Sequence, residues 1–345
     1  MPLPTPQPPH TVAPNSVSRV MRIVLIALIP AILLHTVFFG VGILVQLTLA
    51  IATALASEYV ALRLRQQPVR QFLTDGSALI TAVLLAMCLP PLAPWWLVVS
   101  GTAFGILIAK HLYGGLGSNP FNPAMVGYAV LLVSFPVQLT RWLSPDIGGL
   151  APVDMSFGDS LYAIFVGTLP PHLTWDAVTS PTPLDAVRTS LKAGLTLQEA
   201  QATPIFGMLG GRGWEWVNLA VLLGGIWILS LRIIRWHIPV AVLAGLAVPA
   251  AIMHAVDPGS YAGAVFHLTS GASMLGAFFI ATDPISAATS DRGRLVYGFG
   301  IGSIAYTIRT WGGYPDGIAF AVLLMNLAVP LIDRYTVPRI YGRAA

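Results

Sequence analysis

Charge is what this sequence has least of. Lys, Arg, Asp and Glu make up 9% of its 345 residues, against about 25% in an ordinary soluble domain. The 18 basic and 14 acidic side chains cannot clothe the surface that a chain of this length would expose to water. A soluble enzyme is excluded on that ground. Cysteine is scarcer still. Cys88 stands alone, ruling out an internal disulfide, a Cys-ligated zinc centre and an iron–sulfur cluster held by this chain by itself. No His has a ligand-spaced His, Cys or Glu partner, so no metal centre is expected. Hydrophilic stretches are missing too, except for one between residues 141 and 213.

What is present is apolar. Hydrophobic residues reach 55% and the mean hydropathy is +0.75, so the chain reads as an all-α integral membrane protein. One stretch from Arg19 to about Ala61 is long enough for two helices, with Gly40 and Gly42 at the turn. Further runs near 77–93, 95–112, 124–140, 214–233, 237–256, 260–281, 294–311 and 316–336 bring the expected spans to ten. The organisation expected is a disordered tail (1–18, with six prolines), five spans (19–140), a long loop (141–213), then five spans and a short tail (214–345). With the amino terminus inside, 13 of the 18 basic residues fall on the inner side, and four of the other five lie in the long loop, where charge bias has little force. Both termini are therefore expected in the cytoplasm and the loop outside. The sequence pI near 9.4 reflects this bias; nucleic acid is not an expected partner.

Three segments attract attention. In the loop, Asp176-Ala177-Val178-Thr179-Ser180-Pro181-Thr182-Pro183-Leu184 combines hydroxyls with prolines that keep the backbone extended. It reads either as a Ser/Thr/Pro turn or as an attachment site. Ser270-Gly271-Ala272-Ser273 looks similar but has His267 where the first segment has an acid, and it lies inside an apolar span. It is set aside as a packing segment. Asn119-Pro120-Phe121-Asn122-Pro123-Ala124 and Asp283-Pro284-Ile285-Ser286-Ala287-Ala288 echo one another. Five spans followed by five more would make such an echo an inverted repeat. Asn119, Asn122 and Asp283 then either cap helices in ordinary loops or line a cavity as part of an ion path or ligand site.

The nonapeptide resembles the site at which a flavin transferase esterifies FMN to threonine: Asp, two residues, Ser or Thr, two small residues, Ser or Thr. Asp176, Thr179 and Thr182 match, while Ser180 and Pro181 stand where Gly and Ala are usual. With ten spans and the loop after span five, residues 19–343 resemble the family that includes the D component of the Rnf complex and the B component of sodium-pumping NADH:quinone oxidoreductase. The short amino-terminal extension favours the Rnf side. The resemblance implies a fold similar to urea and ammonium channels, covalent FMN on Thr182 and a second, non-covalent riboflavin. It also implies a place in a bacterial inner-membrane complex beside the A, B, C, E and G components of Rnf. That complex moves electrons between ferredoxin and NAD and couples this to sodium or proton transfer; the chain would be inactive alone. A stand-alone channel of similar fold is the alternative.

Other polar residues are less telling. Glu58 lies close enough to Arg63 to pair with it at the interface, or it serves a proton relay. The histidines, including His35 near the end of the first span, read as structural or interfacial. Trp142 and Trp214 belong to an aromatic belt or else stack on a flavin. Gly298, Gly300, Gly302 and the Gly101/Gly105 pair suit close helix packing.

Overall fold

A computed structural model describes residues 17–147 and 155–336. The disordered-tail expectation for 1–18 falls, up to residue 16, outside the described residues, and so does the short tail after 336. Apart from two isolated β-bridges, the regular structure among the described residues is helical.

α1 (Val17–Phe39) and α2 (Gly42–Leu64) form the expected helix pair, and Gly40 takes φ +82° in the turn between them. A short α3 (Val69–Leu73) leads into α4 (Ser77–Met87). α5 (Trp95–Phe104) continues as a π-helical segment, Gly105–His111. Asn122 then caps α6 (Pro123–Ser134), accepting from the amides of Ala124 and Met125 with Pro123 in the first turn. The 141–213 segment follows α7 (Pro136–Leu139) and carries four short helices: α8 (Phe157–Val166), α9 (Trp175–Val178), α10 (Pro183–Lys192) and α11 (Leu197–Gln201). The second membrane set is α12 (Trp214–Ser230), α13 (His237–Val256), α14 (Ala264–Thr269), α15 (Ser273–Leu275) with a π-helical extension Gly276–Ile280, α16 (Asp291–Trp311) and α17 (Ile318–Thr336).

Five helical stretches among the described residues are long and apolar enough to cross a membrane: Val17–Phe39, Gly42–Leu64, Val69–Met87, His237–Val256 and Ile318–Thr336. The other expected spans are shorter, broken or charged. The fourth changes to a π-helix, the eighth breaks at Ser270–Ala272, and α16 carries Asp291, Arg292, Arg294 and Arg309. Hydropathy sums over such segments, whereas continuity depends on backbone breaks that neighbouring helices satisfy.

The outer faces are apolar. Ile26, Leu33 and Val37 on α1, Leu223 on α12, Ile252 on α13 and Leu327 on α17 are exposed. Such faces are stable only against hydrocarbon, so the chain is a membrane protein. Inside, α1 packs on α12, α2 on α4 and α5, and α13 on α16. The α13–α16 crossing is tightest: a Cβ at Gly302 would meet the Val242 carbonyl oxygen, and one at Gly245 would meet the Phe299 carbonyl oxygen. Gly298 and Gly302 form the four-residue spacing that lets helix backbones approach.

Candidate functional site

Two cavities lie at opposite ends of the bundle. One is reached from the side that carries the 141–213 segment, and it is walled by the ends of α1, α4 and α12 at His35, Cys88 and Trp214. The other is walled by the far ends of the same helices, at Val20, Ser77 and Ile228. They measure about 300 and about 360 Å³, at the lower end of the range of ligand sites.

Thr182 stands on the wall of the first cavity. The chain reaches it by a fixed route: Ser144 and Ser180 donate to the carbonyls of Val178 and Trp142, pinning residues 178–180 to the end of the bundle. Residues 179–182 are extended, and Thr182 then caps α10, its Oγ1 accepting from Asp185 N at 3.3 Å. A hydroxyl in that position stands at the positive end of a helix dipole, which favours a phosphate esterified to it. Arg188, one and a half turns on, also lines the cavity and donates to the Gly313 carbonyl at 2.6 Å. Asp185 in the same first turn opposes an anion. Beyond Thr182 the wall is aromatic and apolar, with Trp142, Trp214, Tyr128, Tyr314 and Leu132.

The structure does not bring the whole nonapeptide to the cavity. Asp176 is exposed on α9 and is not part of the lining, and Thr179 donates to the Trp175 carbonyl at 2.8 Å. Both stand on the approach to Thr182. Elsewhere in this segment, Asp159 is held below the usual carboxylate range by the Ser156 hydroxyl, and Glu199 by the backbone and hydroxyl of Thr196. These are capping boxes that fix α8 and α11. The Ser270–Ser273 lookalike is buried, and Arg309 donates to Ser273 Oγ at 2.9 Å and the Ser270 carbonyl at 3.3 Å.

Asn119, Asn122 and Asp283, far apart in sequence, meet at the second cavity. Asn122 Nδ2 donates to the Ile280 carbonyl at 3.3 Å, and its backbone amide donates to Asn326 Oδ1 at 3.2 Å. Asn119 Oδ1 is buried without a hydrogen-bond partner among the described residues, and Ser286 donates to Asp283 at 2.9 Å.

Two charged clusters escaped the sequence reading. Glu58 does not pair with Arg63, which donates to Tyr59 instead. It turns inward to Lys110 at 2.8 and 2.9 Å and to His111 Nε2 at 2.9 Å, and Lys110 donates also to Ser77 at 2.8 Å. Arg65 donates to His111 Nδ1 at 3.2 Å, which leaves the Nε2 hydrogen for Glu58. Arg309, the one outer-side basic residue expected outside the long loop, is buried on α16 and pairs with Asp316 at 2.9 Å. A Lys-His doublet closing an apolar run was the available signal for the first; no local signal marked the second.

Interrupted helices, an apolar exterior and a cavity at each end define a polytopic membrane protein. The chain belongs to the NQR2, RnfD, RnfE family, whose model matches residues 5–342. It is similar to proteins named as the D component of an ion-translocating oxidoreductase complex. That of Vibrio cholerae serotype O1 is 54% identical over 341 residues, covering 97% of each chain. Those of Escherichia fergusonii and Pectobacterium atrosepticum are 52% and 53% identical over 345 and 342 residues, again covering 97% of each.

Proposed function

We propose that this chain is the D-type membrane component of an ion-translocating oxidoreductase complex and carries FMN esterified to Thr182. The observation that carries the reading is the placement of the Thr182 hydroxyl: at a helix N-terminus, on the rim of a cavity with aromatic walls. When bound, FMN supplies the electron transfer that no side chain here performs. Thr182 anchors its phosphate, the first turn of α10 and Arg188 offset the negative charge, and the ring-lined cavity excludes water. The extended 179–182 segment suits presentation to a flavin transferase, with Asp176 accessible as a recognition carboxylate.

The second cavity serves a non-covalent riboflavin or the ion path. Its support is the unpartnered Asn119 Oδ1 together with the meeting of Asn122 and Asp283. The pairing of α1 with α12 and the broken helices in each half support two inverted five-helix repeats. Inner-membrane placement with the 141–213 segment periplasmic follows from the distribution of basic residues. The partner components A, B, C, E and G of an Rnf complex, transfer between ferredoxin and NAD, and sodium or proton as coupling ion complete the reading. A B-type component of the sodium-pumping quinone reductase would also carry the flavin; a stand-alone channel would have no use for one.

The test is fluorescence of the denatured band under ultraviolet light, with intact-mass measurement. The wild type should fluoresce and carry one FMN-phosphoryl adduct, and Thr182→Ala should do neither. An adduct persisting in Thr182→Ala would refute the site.

A further inference from the structure

We propose that His35 is a positioning residue for that flavin, donating a ring N–H to the oxygen-bearing edge of the isoalloxazine. The proposal rests on the Thr182 reading and adds a second point of contact across the cavity.

His35 sits on α1 and is 1% exposed. Neither Nδ1 nor Nε2 has a hydrogen-bond partner among the described residues. A buried imidazole left so is costly, and an apolar side chain of similar size would avoid the cost. The residue lines the same cavity as Thr182. Among the described residues it is the lining side chain whose buried polar atoms lack a partner.

Its surroundings are aromatic. The His35 ring lies 5.0 Å from Phe39, 6.2 Å from Trp142 and 6.0 Å from Trp214, and the two indoles are 4.8 Å apart. Such a wall offers ring faces and edges for apolar contact together with a few polar atoms, the combination that suits an aromatic ring system with a hydrogen-bonding edge.

Three other polar side chains of the cavity are already committed. The Asn218 amide donates to the Trp214 and Gly271 carbonyls, and the Thr140 hydroxyl to the Val137 carbonyl. Asp316 accepts from Arg309 and from the Ala272 amide. His35 is thus the buried donor of this lining without a partner among the described residues. Reduction of a flavin places negative charge on the N1–C2 carbonyl edge. A donor there stabilises the reduced ring more than the oxidised one and makes it easier to reduce.

The experiment uses the purified complex, with in-gel flavin fluorescence to score attachment and spectroelectrochemical titration to score the ring. His35→Phe keeps a ring against the tryptophans and removes the donor; His35→Asn keeps a donor. Attachment should be equal in all three proteins. At fixed ambient potential, His35→Phe should show the ratio of reduced to oxidised flavin fall about tenfold, with His35→Asn between it and the wild type. If His35→Phe does not assemble, His35→Leu against His35→Asn gives the same comparison. A titration and absorption spectrum of His35→Phe that overlay the wild type would overturn the proposal while leaving Thr182 in place. A wild-type band without flavin would overturn both.

Discussion

Replacing Lys110 by Met should destabilise the protein through the carboxylate it leaves behind, more than through any contact it loses. The ammonium lies 2.8 and 2.9 Å from the two Glu58 oxygens and 2.8 Å from Ser77 Oγ, with both charged residues at most 2% exposed. Methionine preserves most of the stem packing, so the cavity cost is small. Removing one partner of a buried ion pair costs about 3–5 kcal/mol. His111 Nε2 remains 2.9 Å from Glu58 and carries part of the burden, which puts the expectation near the lower end, about 3 kcal/mol. Adding Glu58→Gln to Lys110→Met removes the stranded charge, so the double variant should be more stable than Lys110→Met alone. The assay is denaturant unfolding of the purified protein in detergent micelles, run as a double-mutant cycle. A Lys110→Met protein within about 0.5 kcal/mol of the wild type, the range of an ordinary surface change, would refute the reasoning. So would strict additivity of the two substitutions.

Further predictions concern other parts of the molecule. Gly302→Ala drives a methyl group into the Val242 carbonyl at the α13–α16 crossing, and about 1–3 kcal/mol of stability should be lost; a melting temperature unchanged in detergent would show that the helices separate freely. Cysteine at Ala193, exposed just after α10, should react with a membrane-impermeant maleimide in cells whose outer membrane alone is permeable. Labelling that requires a broken inner membrane would reverse the topology. Thr182→Ser keeps a hydroxyl at the cap of α10 and should retain some fluorescent band, whereas Asp176→Ala should weaken labelling with Thr182 untouched. Full labelling of Asp176→Ala would remove the carboxylate from the recognition motif.

Much of this protein was written locally. The scarcity of charge specified a membrane bundle, Gly40 ended the first helix, and Asn122-Pro123 began another, because hydropathy, φ > 0 and capping act over a few residues. The segment around Thr182 stood out in the same way, being read along an extended stretch. Tertiary structure decided what those residues face. Glu58 looked like the partner of nearby Arg63, yet helix rotation buries it against Lys110 and His111, 52 and 53 positions away. Arg309 counted only as one more outer-side basic residue until folding enclosed its guanidinium beside Asp316 and beneath the broken α14–α15 helix. His35 looked like one more structural histidine, and its lack of a hydrogen-bond partner among the described residues emerges only when α1, α12 and the start of the 141–213 segment close around it. Sequence periodicity gives the chance that a residue is buried, but the partners of a buried polar group come from other helices, and their approach is set by the packing of the whole bundle.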